Sequence, residues 1–181
     1  MPLWNQDTYI KAWNFACIAH NGQCVPGSDL PYINHIGNVT MEVMAVIALG
    51  DEMTHPELLI QCALLHDVIE DTHVSYEELS HIFGPHVADG VRALSKDPSL
   101  KTKEERMNDS LRRIKKQPKE IWMIKVADRI TNLQPPPTYW TQEKIKRYWK
   151  ESRVIYQNLK ESNVRLAQRL NEKIGNYCQY F

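Results

Sequence analysis

From Gln6 onward, apolar residues return every three to four positions and nowhere alternate one by one over a useful length. A three-to-four spacing lines one face of a helix, whereas a half-buried strand needs strict alternation. The pattern therefore predicts an all-α chain. Tyr9, Trp13, Ala16 and Cys17 set such a stripe over residues 6–20. Helix punctuation divides the rest. A second helix over 33–49 is stopped by Gly50 just past its end. A third, from 56 to about 71, opens on Pro56, whose missing N–H has no partner to lose in a first turn. Ser75-Tyr76-Glu77-Glu78 is a capping box that opens a short helix, and Gly84-Pro85 breaks it before another runs to about Leu94. Helices over 103–116 and 118–133 follow, and Pro135-Pro136-Pro137 then forbids helix. Two more, over 142–159 and 163–177, finish the chain, with Ser162 the expected cap of the last.

The 181 residues suffice for one sizeable core and predict a single domain over 1–181. Twenty-two basic residues balance twenty-two acidic ones, so no global field draws the chain to nucleic acid or membrane, and any charge-driven binding is local. The longest apolar run, Val43 to Leu49, is far short of the roughly 20 residues that span a bilayer. The first residues lack a basic segment followed by an apolar one, and the four cysteines form no C-x-x-C pair. Both features predict a reduced, cytoplasmic protein. Oligomeric state leaves no mark in this pattern.

One stretch does not fit a plain core helix. In ALLHDVIEDT, residues 63–72, a histidine and three acids follow directly on an apolar run. On a continuous helix His66, Asp67, Glu70 and Asp71 fall at roughly 0°, 100°, 40° and 140°, all on one half of the surface. Three carboxylates on a partly buried face repel one another and are costly to desolvate without a cation. Taken alone, His66-Asp67 is equally a surface pair or a satisfied core histidine, and Glu70-Asp71 a solvated helix end. Two other segments add donors: His35 opens the apolar helix of PYINHI, and Asp128 interrupts KVADRITNL, where it also has Lys125 and Arg129 as neighbours to pair with. Together His35, His66, Asp67 and Asp128 offer two nitrogens and two oxygens to one cation, leaving positions for water and substrate on an octahedral ion.

His35, His66-Asp67 and Asp128 match the H…HD…D pattern of the HD metal-dependent phosphohydrolase superfamily. PYINH, ALLHDVIEDT, the segment Tyr76 to Gly84 and KVADRITNL further resemble the hydrolase domain of RelA/SpoT-type alarmone enzymes over residues 10–159, with a C-terminal helix beyond. The chain is similar to the small stand-alone hydrolases, because nothing after Phe181 is left to hold a synthetase or regulatory domain. The resemblance implies an HD-type helical globule that removes the 3′-pyrophosphate of ppGpp, giving GDP and pyrophosphate, with Mn²⁺ as the usual ion. It implies His35, His66, Asp67 and Asp128 as metal ligands and Glu70 and Asp71 as the catalytic acids, and it matches Asn132 to a nucleotide-contacting asparagine. Which acid is the base stays open, and mixed His and carboxylate ligation also admits Fe²⁺ or Zn²⁺.

Substrate recognition departs from the pattern. The loop Gln23-Cys24-Val25-Pro26-Gly27-Ser28-Asp29-Leu30 carries no Lys or Arg where longer relatives place basic residues, and Ile36 stands where proline usually follows the first histidine. Lys125 and Arg129 are phosphate contacts or salt-bridge partners. The basic excess over 101–119 is either a rim that attracts a polyphosphate or a solvated helix face. Tyr139 or Trp140 can reach a base, while Tyr148 and Trp149 are expected to pack the last helices. A small-molecule nucleotide is the expected partner. The readings that compete with an alarmone hydrolase are an HD phosphohydrolase acting on another 2′- or 3′-phosphorylated nucleotide or cofactor, and a sensor that binds an alarmone without cleaving it.

Overall fold

The structure, a computed structural model, describes residues 4–181. It is helical throughout: α1 (Gln6–Ala19), α2 (Ile33–Ala48), α3 (Pro56–Leu65), α4 (Val68–Asp71), α5 (Tyr76–Phe83), α6 (Pro85–Leu94), α7 (Lys103–Ile114), α8 (Lys119–Asn132), α9 (Gln142–Leu159) and α10 (Val164–Tyr177). Among the described residues no strand forms, and one isolated bridge joins Cys24 to Pro31.

The core is built on α3 and α8. Leu59, Ile60 and the run Cys62 to Leu65 are buried, because α1, α2, α6 and α8 all pack around α3. In α8 every residue from Glu120 to Ile130 except Trp122 is buried, which leaves Lys125, Asp128 and Arg129 as charges inside the fold. Glu120 Oε1 accepts from the backbone N–H groups of Thr54 and His55 and so caps the start of α3, which has no side-chain cap of its own. Gly90 lets α6 approach closely: a Cβ there would stand 2.6 Å from Ile121 Cδ1 and 3.0 Å from Cys62 Sγ. At the far side α10 packs on α8 and α9, and Arg169 forms a two-pronged pair with buried Glu42 of α2 at 2.7 Å on each prong.

Two expectations are corrected. The helix expected over 56–71 is broken at His66-Asp67, where Asp67 has ψ −2° and α4 restarts with Asp71 N–H bonding to the Asp67 carbonyl. Adjacent side chains on a continuous helix point about 100° apart and do not meet. The turn lets His66 Nε2 and Asp67 Oδ2 come within 2.9 Å. At α10 the cap is Asn163, whose Oδ1 accepts from Leu166 N–H, and Ser162 Oγ is buried without a partner. Asn163 sits one residue nearer the helix, where its oxygen reaches the N3 amide.

Candidate active site

Side chains from α2, the α3–α4 turn and α8 converge on one point. His35 Nε2 and His66 Nε2 lie 3.3 Å apart, and His35 Nε2 is 3.5 Å from Asp128 Oδ1. Ligand atoms of His35, His66 and Asp128 all fall within 4.8 Å of one another. Asp67 Oδ2 joins them, 2.9 Å from His66 Nε2 and 3.6 Å from His35 Nε2. Each donor is fixed from behind. His66 Nδ1 donates to the Ala63 carbonyl at 2.8 Å, which turns Nε2 toward the cluster. Asp67 Oδ2 accepts from Tyr32 Oη at 2.6 Å. Asp128 accepts from Lys125 Nζ at 2.9 Å and from Asn132 Nδ2.

The electrostatics mark a site short of positive charge. Burial alone would disfavour the His66 imidazolium, yet the Asp67 and Asp128 carboxylates outweigh it and push the ring up to about 9. Burial likewise favours protonated Asp67 and Asp128, but His66 for the first and Lys125 with His35 for the second hold both carboxyls below their ordinary value. Two imidazole nitrogens and two ionised carboxylates make a donor set that suits a divalent transition ion.

The acidic pair of α4 lines the same cleft, whose volume is about 460 Å³. Glu70 is clamped on both oxygens, by Lys96 Nζ at 2.6 Å and by the Lys96 backbone N–H at 2.8 Å. Asp71 is placed by the Tyr32 hydroxyl at 3.3 Å, and its pKa is raised by burial and by the nearby Asp67 and Glu70 carboxylates. His20 stacks on Tyr32, and Gln23 links the His20 ring to the Asp71 carbonyl. Arg129 is buried, with its guanidinium 4.2 Å over the Tyr148 ring and its Nε without a partner, and it lines the cleft along with Asn132 and Trp140. Tyr139 is 64% exposed and belongs to the surface.

The nine residues expected as metal ligands, catalytic acids or substrate contacts thus lie at or around one cleft. Tyr32 and Lys96 were not singled out. Tyr32 stands three positions before His35 but carries no mark of its own, and Lys96 follows Glu70 by 26 residues with nothing local to tie them.

Comparison with known proteins identifies the family. The sequence model described as the HD domain matches residues 12–170. This chain belongs to the HD domain family. Among HD-domain relatives, it is 34% identical to the guanosine-3′,5′-bis(diphosphate) 3′-pyrophosphohydrolase MESH1 of Drosophila melanogaster over 95% of this chain and 96% of that protein. It is 35% identical to the bifunctional (p)ppGpp synthase/hydrolase SpoT of Escherichia coli (strain K12), over 68% of this chain and 17% of that one. Its fold is similar to the solved structure of a metazoan ortholog of SpoT that hydrolyzes ppGpp, with a TM-score of 0.81, 31% identity, and 96% and 97% of the two chains covered.

Proposed function

We propose that this HD-domain protein is a metal-dependent hydrolase that removes the 3′-diphosphate of guanosine 3′,5′-bis(diphosphate), giving GDP and pyrophosphate. The observation that carries the reading is the convergence of His35, His66 and Asp128 within 4.8 Å, with Asp128 and Asp67 lining a cleft that also holds Glu70 and Asp71. The match to MESH1 over nearly the whole of both chains supports the substrate.

In this reading His35, His66, Asp67 and Asp128 hold a divalent ion, with Mn²⁺ as the proposed native one. Such an ion supplies a Lewis acid for a phosphoryl oxygen and lowers the pKa of water. The chain's own groups do the rest. An O–P bond forms to the water oxygen, the bond between the ribose 3′-oxygen and phosphorus breaks, and a proton passes to the 3′-oxygen. Asp71, whose carboxyl already retains a proton more readily than an ordinary aspartate, fits the proton carrier. Glu70, clamped by Lys96, orients the water. Arg129 lies in the cleft without a carboxylate partner and counters charge on the phosphoryl group, and Asn132 keeps Asp128 aimed.

The chain acts as one domain in this reading, because α9 and α10 close directly on α8 and its Asp128. No helix of the described residues is long and apolar enough to cross a membrane. The four thiols are free, which supports a reducing, cytoplasmic setting.

The cation-free loop Gln23 to Leu30 favours a second reading, the same centre acting on another 2′- or 3′-phosphorylated nucleotide. Separating the products of ppGpp and of such nucleotides by anion exchange, in protein stripped of metal and reloaded with Mn²⁺, decides between them. GDP and pyrophosphate are expected from ppGpp. Intact ppGpp beside a dephosphorylated second nucleotide would exchange the first reading for the second.

A further inference from the structure

The cations of the cleft fall into two groups. Near the cluster Lys96 is neutralised by Glu70 and Lys125 by Asp128, while Arg129 lies over the Tyr148 ring and meets no carboxylate among the described residues. The α7 side carries a further unneutralised pair. Lys103 and Arg106 line the cleft, and among the described residues neither meets a carboxylate. Arg106 is nonetheless held still, because its Nε donates to the Leu100 carbonyl at 2.8 Å and its Nη2 to the Pro98 carbonyl at 3.1 Å. Carbonyls fix a guanidinium without cancelling its charge. The remaining cations of that helix, Arg112 and Arg113, turn onto Asp109, and Lys115 just past its end turns onto Asn158. Across the cleft, Arg147 of α9 is only loosely engaged, 4.0 Å from Glu151.

We infer that Lys103 and Arg106, with Arg147 opposite, form a second anion subsite that takes the 5′-diphosphate of the substrate while its 3′-diphosphate lies at the metal cluster. The inference rests on the reading above. A nucleotide phosphorylated at both ends of its ribose presents two clusters of negative charge, and binding in one cleft needs cations at both. The loop Gln23 to Leu30 supplies none, its one charge being Asp29, so the positive charge for the distal group comes from α7 and α9. The basic excess of residues 101–119 is therefore divided between a binding edge and a structural face.

The test compares ppGpp with guanosine 3′-diphosphate bearing a free 5′-hydroxyl, using the metal-loaded protein and the variants Lys103→Gln and Arg106→Gln. The wild type is expected to prefer ppGpp in kcat/KM, and each variant to reduce that preference about tenfold, through KM, with the loss in the wild type growing as salt is raised. An unchanged preference, or an equal loss on both substrates, would overturn the subsite. If the wild type cleaves neither compound, the hydrolase reading fails by itself. Calorimetry on protein stripped of metal then decides the subsite: GDP binding more tightly than guanosine, with the difference lost in Arg106→Gln, upholds it, and equal binding refutes it.

Discussion

Tyr32 ties the two halves of the site together, because its hydroxyl donates to Asp67 at 2.6 Å and lies 3.3 Å from Asp71. Tyr32→Phe removes one oxygen and keeps the ring on His20. Partners behind a metal ligand are worth about 10–100-fold in activity or affinity, so turnover should fall by about that range while the fold stays intact; unchanged kcat and metal content would show the bridge is idle. Lys96 is expected to act through Glu70. Lys96→Met should lower kcat about tenfold or more by freeing a charge-assisted pair, and Lys96→Arg should restore much of it, whereas a rise in KM alone would mean that Lys96 binds substrate instead. The His and Asp donors were legible because histidine and carboxylate interrupt apolar helices at few places. Tyr32 and Lys96 were not, since a tyrosine at a helix start and a lysine after a helix end are ordinary surface features until the fold brings them to a carboxylate.

At the level of elements, the break between α3 and α4 shows where helical periodicity stops being a guide. The boundaries of α5, α6 and α9 follow their caps and prolines, because those signals are local. At the turn, His66 and Asp67 meet His35 of α2 and Tyr32 before it, partners that no local signal carries. The α6–α7 junction rests on Asp109: it holds Arg113, whose guanidinium reaches the Ser95 and Arg92 carbonyls at the end of α6. Its hydrogen bonds to Arg113 and Arg112 keep the Asp109 carboxyl below its ordinary value. A lowered folded pKa contributes stability that is complete above the unfolded value of about 3.9 and is lost as pH falls through the folded one. The melting temperature of Asp109→Asn should therefore lie below wild type at pH 7, and the gap should close below about pH 4. A gap that persists unchanged at pH 3 would assign the loss to shape and not to charge. Gly90→Ala should destabilise by about 1–3 kcal/mol through crowding of Ile121 and Cys62, read from denaturant midpoints; a gain in stability would show that Ile121 repacks freely.

On the scale of the whole molecule, α10 packs on α8 and ties to α2. Arg169→Ala leaves Glu42 buried and unpaired, and is expected to cost about 2 kcal/mol once the half-exposed arginine is discounted, with part regained in the double variant with Glu42→Gln. An additive double variant would contradict the pairing. The all-helical class and, apart from the α3–α4 break, the sequence of elements were legible, while the placing of α3 and α8 at the centre follows from packing between segments far apart in the chain. Which cations of the cleft are paired and which are not was equally out of reach, since charge pairs form across the fold. The most direct test of the account measures bound metal and ppGpp turnover in the same samples of wild type, Asp128→Ala and Glu70→Gln. The account expects one divalent ion with release of GDP and pyrophosphate in the wild type, neither in Asp128→Ala, and the ion without turnover in Glu70→Gln. Full metal content in Asp128→Ala, or ppGpp hydrolysis by metal-free protein, would contradict it.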